Sequence, residues 1–248
     1  MRVSPMRYRE QHPETTIGRW IECTWSLETA AAVPAYPVRP DGCIDIVYAR
    51  EGGAQVVGAM TAERRFHLAA GARTIGVRFH PGMAGAFLGA SPAEFTGRTV
   101  ALEDVWGRRA RQLERRLADA RSLDECLGNL RDALAAPPRE PSGVQRAIGA
   151  MTAAHGDLDL DWAARHAGLS ARQFRRRCLQ ESGLSPKRLC RVLRFRRACS
   201  LAARGAGWVS VAGDAGYFDQ AHLIRDFREF AGVTPMAVFS KTQTASIG

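Results

Sequence analysis

A chain of 248 residues and 27.1 kDa has room for one large domain or two small ones. Its 46% apolar and 24% charged residues suit an ordinary globular protein and exclude collagen, coiled coil, disulfide mini-protein and disordered chain. The formal charge of +10 is carried almost wholly by arginine, since only Lys187 and Lys241 are lysines. From residue 141 onward 16 cations face 8 anions, whereas residues 1–140 hold 19 and 17. A near-neutral half joined to a basic half points to a polyanion as partner. No run of eighteen apolar residues is present, and the first sixteen residues contain no apolar stretch, so neither a membrane helix nor a secretory signal is expected. The six cysteines form no CxxC pair and no zinc spacing, which predicts reduced thiols in a cytoplasm, no metal site and no cofactor.

Taken in chain order, residues 17–80 read as β-structure. Across residues 20–27 the apolar Ile21, Cys23, Trp25 and Leu27 alternate with Glu22, Thr24 and Ser26. Short Val/Ile-rich runs follow at 43–49, 54–60 and 74–79, punctuated by Pro40-Asp41-Gly42 and Gly52-Gly53 turns. From Pro81 the pattern turns helical, with Pro81 as a first helical residue and Leu102, Val105, Trp106, Leu113 and Leu117 at helical spacing. The stretch APPREPSG at 136–143 stops any helix and buries nothing. The expected organisation is therefore α+β: a β-barrel-like domain with trailing helices at 1–135, a linker at 136–143, and an all-α domain at 144–248.

The C-terminal half repeats itself. With Ser170 aligned on Asp219, Phe174 falls on Leu223, Arg176 on Arg225 and Cys178 on Phe227. Gly183-Leu184-Ser185-Pro186 then falls on Gly232-Val233-Thr234-Pro235. Upstream, Ala164-Arg165-His166-Ala167-Gly168 matches Ala212-Gly213-Asp214-Ala215-Gly216, and Phe218 is one extra residue in the second turn. Each copy is a small Ala-rich helix, a glycine turn, and a capped second helix with one apolar face, which is a helix-turn-helix. Residues 187–203 read as a connecting helix of about 25 Å, able to hold two reading helices about one DNA turn apart.

The doubled motif, Gly183-Leu184-Ser185-Pro186, Arg194-Phe195-Arg196-Arg197-Ala198, and the run Ala215-Gly216-Tyr217-Phe218-Asp219-Gln220-Ala221-His222-Leu223 with Arg225, Phe227, Gly232 and Pro235 together resemble the AraC/XylS-type transcriptional regulators over about residues 144–240. That family usually shows Tyr-Arg a few residues after the last proline, where this chain has Phe239-Ser240. The N-terminal half resembles a domain found on some of these regulators, marked by Pro40-Asp41-Gly42-Cys43-Ile44-Asp45 and Gly76-Val77-Arg78-Phe79-His80-Pro81-Gly82. The resemblance implies a sequence-specific regulator with double-stranded DNA as partner.

On the first reading helix Phe174 and Cys178 face inward, which leaves Arg172, Arg175 and Arg176 outward for guanine edges or phosphates. On the second, Leu223 and Phe227 face inward and Gln220, Ala221 and Arg225 outward. His222 is expected to pack or touch phosphate, and Arg194 to brace the connecting helix.

For the N-terminal half three readings compete. An effector pocket for a small molecule would take Asp41, Asp45, Arg78 and His80 as polar groups and Trp20 and Trp25 as apolar walls. An enzymatic reading, a cupin-like metal site, finds His12, His67 and His80 without preorganised spacing. The alternative of a DNA-repair or modifying enzyme on the same DNA-binding module lacks a four-cysteine cluster, since only Cys23 and Cys43 are available near the N-terminus. An assembly domain would make a homodimer through Leu113, Leu117, Leu123, Leu127, Leu130 and Leu134, which serve equally as core. No catalytic residue is assigned.

Overall fold

The computed structural model describes residues 6–14, 16–134 and 140–238. The linker expected at 136–143 falls partly outside them, at 136–139, as do Phe239-Ser240 and Lys241.

The alternating and Val/Ile-rich runs form strands β2 (Ile21–Thr29), β4 (Ile44–Ala49), β5 (Gly53–Val57) and β7 (Arg73–Phe79). With β1 (Met6–Gln11) and β8 (Thr99–Ala101) they make an antiparallel sheet of order β1-β2-β7-β4-β5-β8. Among the described residues, strands β3 (Val33–Val38) and β6 (Arg64–Leu68) pair only with each other, as a separate ribbon. Likewise β1 and β8, the two ends of the larger sheet's order, do not pair with each other among the described residues. Pro81 opens a turn rather than a helix, because Gly82 takes φ +83°; helix α1 starts only at Gly85 (Gly85–Leu88).

The sheet has two covered faces. On one, Ile44, Ile46, Val56, Ile75, Val77 and Phe79 pack under α3 (Arg108–Asp119) and α4 (Leu123–Ala133), which α2 (Leu102–Trp106) introduces. Leu113, Leu117, Leu127, Leu130 and Leu134 are buried here, so they are core and do not supply a dimer surface; Leu123 packs against the same core. On the other face Cys23, Trp25 and Leu27 form a small cluster with Met6, Tyr36, Val47 and Leu68, roofed by the β3–β6 ribbon. A register shift between Ile21 and Cys23 assigns these side chains to opposite faces. It puts Trp20 and Ile21 in the main core and Trp25 in the ribbon-side cluster.

The C-terminal half is built from α5 (Gly143–Ala153), α6 (Leu160–His166), α7 (Ala171–Ser182), α8 (Pro186–Ala203), α9 (Trp208–Asp214) and α10 (Gln220–Ala231). Phe195 on α8 lies edge-on to Phe227 of α10 at 4.8 Å and 5.3 Å from Phe230, and Trp208 of α9 lies edge-on to Phe227 at 5.6 Å.

One continuous core joins the halves. Two of the three glycines of the N-terminal motifs, Gly42 and Gly82, sit at the seam, both with left-handed backbone: a Cβ on Gly42 would stand 3.1 Å from Leu189, and one on Gly82 would stand 2.9 Å from Ile148. Gln145 on α5 donates through Nε2 to the Gly82 carbonyl at 3.1 Å.

Candidate nucleic-acid interface

The repeat read from the sequence folds as two like units. Each pairs a seven-residue helix (α6, α9) with a twelve-residue helix (α7, α10), joined by a turn whose glycine, Gly168 or Gly216, has positive φ. Small side chains make the pairing close: Ala163 and Ala164 on α6 and Ala212 on α9 are buried. Ser170 caps α7 by accepting from Gln173 N, and Asp219 caps α10 by accepting from His222 N at 2.6 Å. Gly183 and Gly232 end the two helices in the left-handed conformation.

Phe174, Cys178, Leu223 and Phe227 are buried, and this fixes the opposite faces. Arg172, Arg175 and Arg176 on α7 and Gln220, Ala221 and Arg225 on α10 are all exposed. Each group occupies the N-terminal half of its helix, where backbone N–H groups and the positive end of the helix dipole also favour phosphate. Phe218, the inserted turn residue, is 95% exposed beside Gln220. His222 is half-buried, edge-on to Tyr217 at 5.1 Å. Arg194 braces as expected: its Nη1 donates to the Gly156 carbonyl at 3.3 Å, and its guanidinium lies over Tyr217.

Of the six residues expected to line an N-terminal pocket, the structure gathers three into an ion cluster. Arg78 reaches Asp45 with Nε and Nη2 at 3.3 and 3.4 Å, Asp41 at 3.6 Å and Glu10 at 3.4 Å. Trp25 is a neighbour, packed over Gly76, where a Cβ would meet its ring at 2.4 Å. Trp20 is not: it lies edge-on to Phe87 in the main core, on the other side of the register shift. His80 also turns away, its Nε2 3.2 Å from the Gly18 carbonyl.

Sequence reasoning missed four members of this cluster, Tyr8, Glu10, Glu22 and Arg196. Tyr8 donates to Glu10, which in turn holds Arg78. Asp41 accepts from Cys43 N at 2.9 Å, the Cys43 thiol donates to Glu22 at 3.2 Å, and Glu22 pairs with Arg196 of α8. No local pattern could announce Glu22 with Arg196, which are 174 positions apart. Burial, opposed by Arg78, pushes the Asp45 carboxyl up to about 7, and burial drives the Cys43 thiol well above its ordinary value. Burial also acts on Glu22, but the Arg196 guanidinium outweighs it and holds that carboxyl below its usual range. The cluster therefore runs unbroken from the ribbon-side face of the sheet to the connecting helix.

Residues 163–241 match the helix-turn-helix domain family, and residues 9–101 match a domain of unknown function, DUF6597. The chain is a DNA-binding transcription regulator, with an AraC-type helix-turn-helix domain at residues 163–241. No curated protein matches it. Among solved structures, it is similar to a DNA-binding transcriptional dual regulator from Escherichia coli K-12, at 22% identity over 44% of this chain and 99% of that one, TM-score 0.38. It is also similar to ToxT from Vibrio cholerae, at 10% identity over 95% of this chain and 97% of that one, TM-score 0.40. A ToxT structure with bound unsaturated fatty acid aligns at 9% identity over 85% and 95% of the two chains, TM-score 0.42. Among the described residues of the regulator, no helix is long and apolar enough to cross a membrane, and no group of three or more His, Cys, Asp or Glu is arranged to hold a metal ion.

Proposed function

We propose that the regulator reads duplex DNA with α7 and α10 together, using Arg172, Arg175 and Arg176 from one and Gln220, Ala221 and Arg225 from the other, and that the N-terminal half tunes this binding. The observation that carries the reading is the pair of like helices, each presenting an exposed arginine at its sixth position, inside a half with net charge +8. Arginine forks suit guanine N7 and O6, and glutamine suits adenine. Tuning would start at the Asp41–Asp45–Arg78 cluster, because its ion pairs are continued by the hydrogen bonds of Cys43 to Asp41 and Glu22, and Glu22 pairs with Arg196 on the helix that carries both reading units. A small charged effector that exchanges partners with Arg78 shifts the regulator only by its differential affinity for the DNA-competent state.

Three measurements test this. Duplex affinity of the full chain should fall linearly in log–log form with salt, at a slope of about −0.9 per neutralised phosphate; a flat response removes the DNA reading. A thermal-shift screen of small charged metabolites against wild type and Arg78→Ala should find a stabiliser of the first that fails on the second. Equal stabilisation of both would move the effector site elsewhere, and metal found stoichiometrically in the purified protein would favour the enzyme reading.

A further inference from the structure

Two N-terminal segments meet the far ends of the two reading helices, and they are bonded to each other. Gly58 N donates to Arg98 O at 3.0 Å, Gly97 N to Ala59 O at 3.0 Å, and Arg64 Nη1 to Thr99 Oγ1 at 3.0 Å. Their backbones touch at Gly58, where a Cβ would overlap the Phe95 carbonyl oxygen at 1.8 Å. Residues 58–63 and 91–98 thus form one block.

One side of the block meets the C-terminal end of α7. Thr96 Oγ1 donates to the Gly183 carbonyl at 2.8 Å, and Ser91 Oγ donates to the Gln180 carbonyl at 2.9 Å. The other side meets the C-terminal end of α10. Glu63 N donates to the Phe230 carbonyl at 2.6 Å, and the Thr61 carbonyl accepts from Arg188 Nη2 at 2.9 Å, while Arg188 also pairs with Glu229 of α10 at 3.2 Å. The last carbonyls of a helix have no partner within it; here the N-terminal half supplies partners to both reading helices at once.

We infer that this block is a spacer, which together with α8 fixes the separation and relative rotation of α7 and α10, and hence the spacing of the two DNA elements they read. The inference rests on the assignment of α7 and α10 as reading helices. Helix α8 meets α10 along its middle, through Phe195 against Phe227 and Phe230 and through the Arg191–Asp226 pair, and the block adds a second tie at the far ends of both reading helices. A spacing error of one base pair is only about 3.4 Å of rise and about 35° of rotation. A block bonded to both helix ends suppresses swings of that size. Thr96 and Arg188 are positioning residues in this scheme, acting through the helices rather than on DNA.

The test uses the full chain and a two-element duplex that wild type selects from a random pool, remade with the gap shortened or lengthened by one base pair. Wild type should bind the altered gaps about tenfold or more weakly, comparable to the cost of a mismatched base pair. Thr96→Val with Arg188→Met should bind all three gaps within about threefold, keep its affinity for a single element, and retain the same base preferences; each single variant should fall between. Retained single-element affinity shows that the variants fold. A double variant with undiminished gap discrimination overturns the spacer, as does one that loses base preference instead of gap preference. Selection of nothing by wild type overturns the reading-helix assignment itself, and the spacer with it.

Discussion

Arg176 and Arg225 hold equivalent places, each sixth in a twelve-residue helix whose apolar side is buried under its own unit. Replacing either with Ala should lose about 1–3 kcal/mol of site affinity and relax base preference at one position, a different one for each. A loss equal on all duplexes, measured by competition binding, would make them phosphate contacts. In the N-terminal half, Asp45 lies under the ribbon against Arg78, and burial raises its carboxyl to about 7 from 3.8. A raised acid binds its proton more tightly folded than unfolded, so this group's contribution to stability is complete below about pH 4 and is lost as pH rises through 7. Asp45→Asn should flatten the dependence of Tm on pH between about 4 and 7. An unchanged slope would mean that Arg78 keeps the carboxylate ionised throughout.

At the scale of elements, local spacing was legible and long-range pairing was not. Alternation gave β2, and the 49-residue repeat gave α6–α7 and α9–α10, because each depends on side chains only a few positions apart. The ribbon escaped notice because β3 carries Pro34 and Pro37 and β6 opens with Arg64 and Arg65, a composition tolerated in strands that pair on one edge only. On the polar side of the β2 alternation, Thr24 and Ser26 are buried as well. Of the pocket residues, Asp41, Asp45 and Arg78 were legible as charges interrupting apolar strands. Glu10, Glu22 and Arg196 were not, since only tertiary folding brings them there. Another such long-range pair joins α8 to α10: Asp226 is 1% exposed and is held by Arg191 at 2.7 Å. Arg191→Met should destabilise the chain by about 3–5 kcal/mol by leaving that carboxylate buried without its partner. A shift in urea unfolding worth less than about 1 kcal/mol would show that Asp226 is rehydrated at little cost.

For the whole molecule, charge and core divide differently. The positive excess belongs to the C-terminal half, but the apolar core runs from Phe79 and Met83 through Ile148 to Leu189 and Phe227 without a break. The division at 136–143 is therefore proposed as a change of role along the chain: the sheet carries the ion cluster, the helices carry the reading faces, and the shared core couples them. Coupling of this kind makes the full chain the proper object of a DNA assay. The most direct measurement is selection of duplexes from a random pool by the full-length protein at moderate salt. Two enriched elements with centres about one helical turn apart, one changed in Arg176→Ala and the other in Arg225→Ala, are the predicted result. A single enriched element, or the same element changed by both substitutions, would contradict paired reading by α7 and α10.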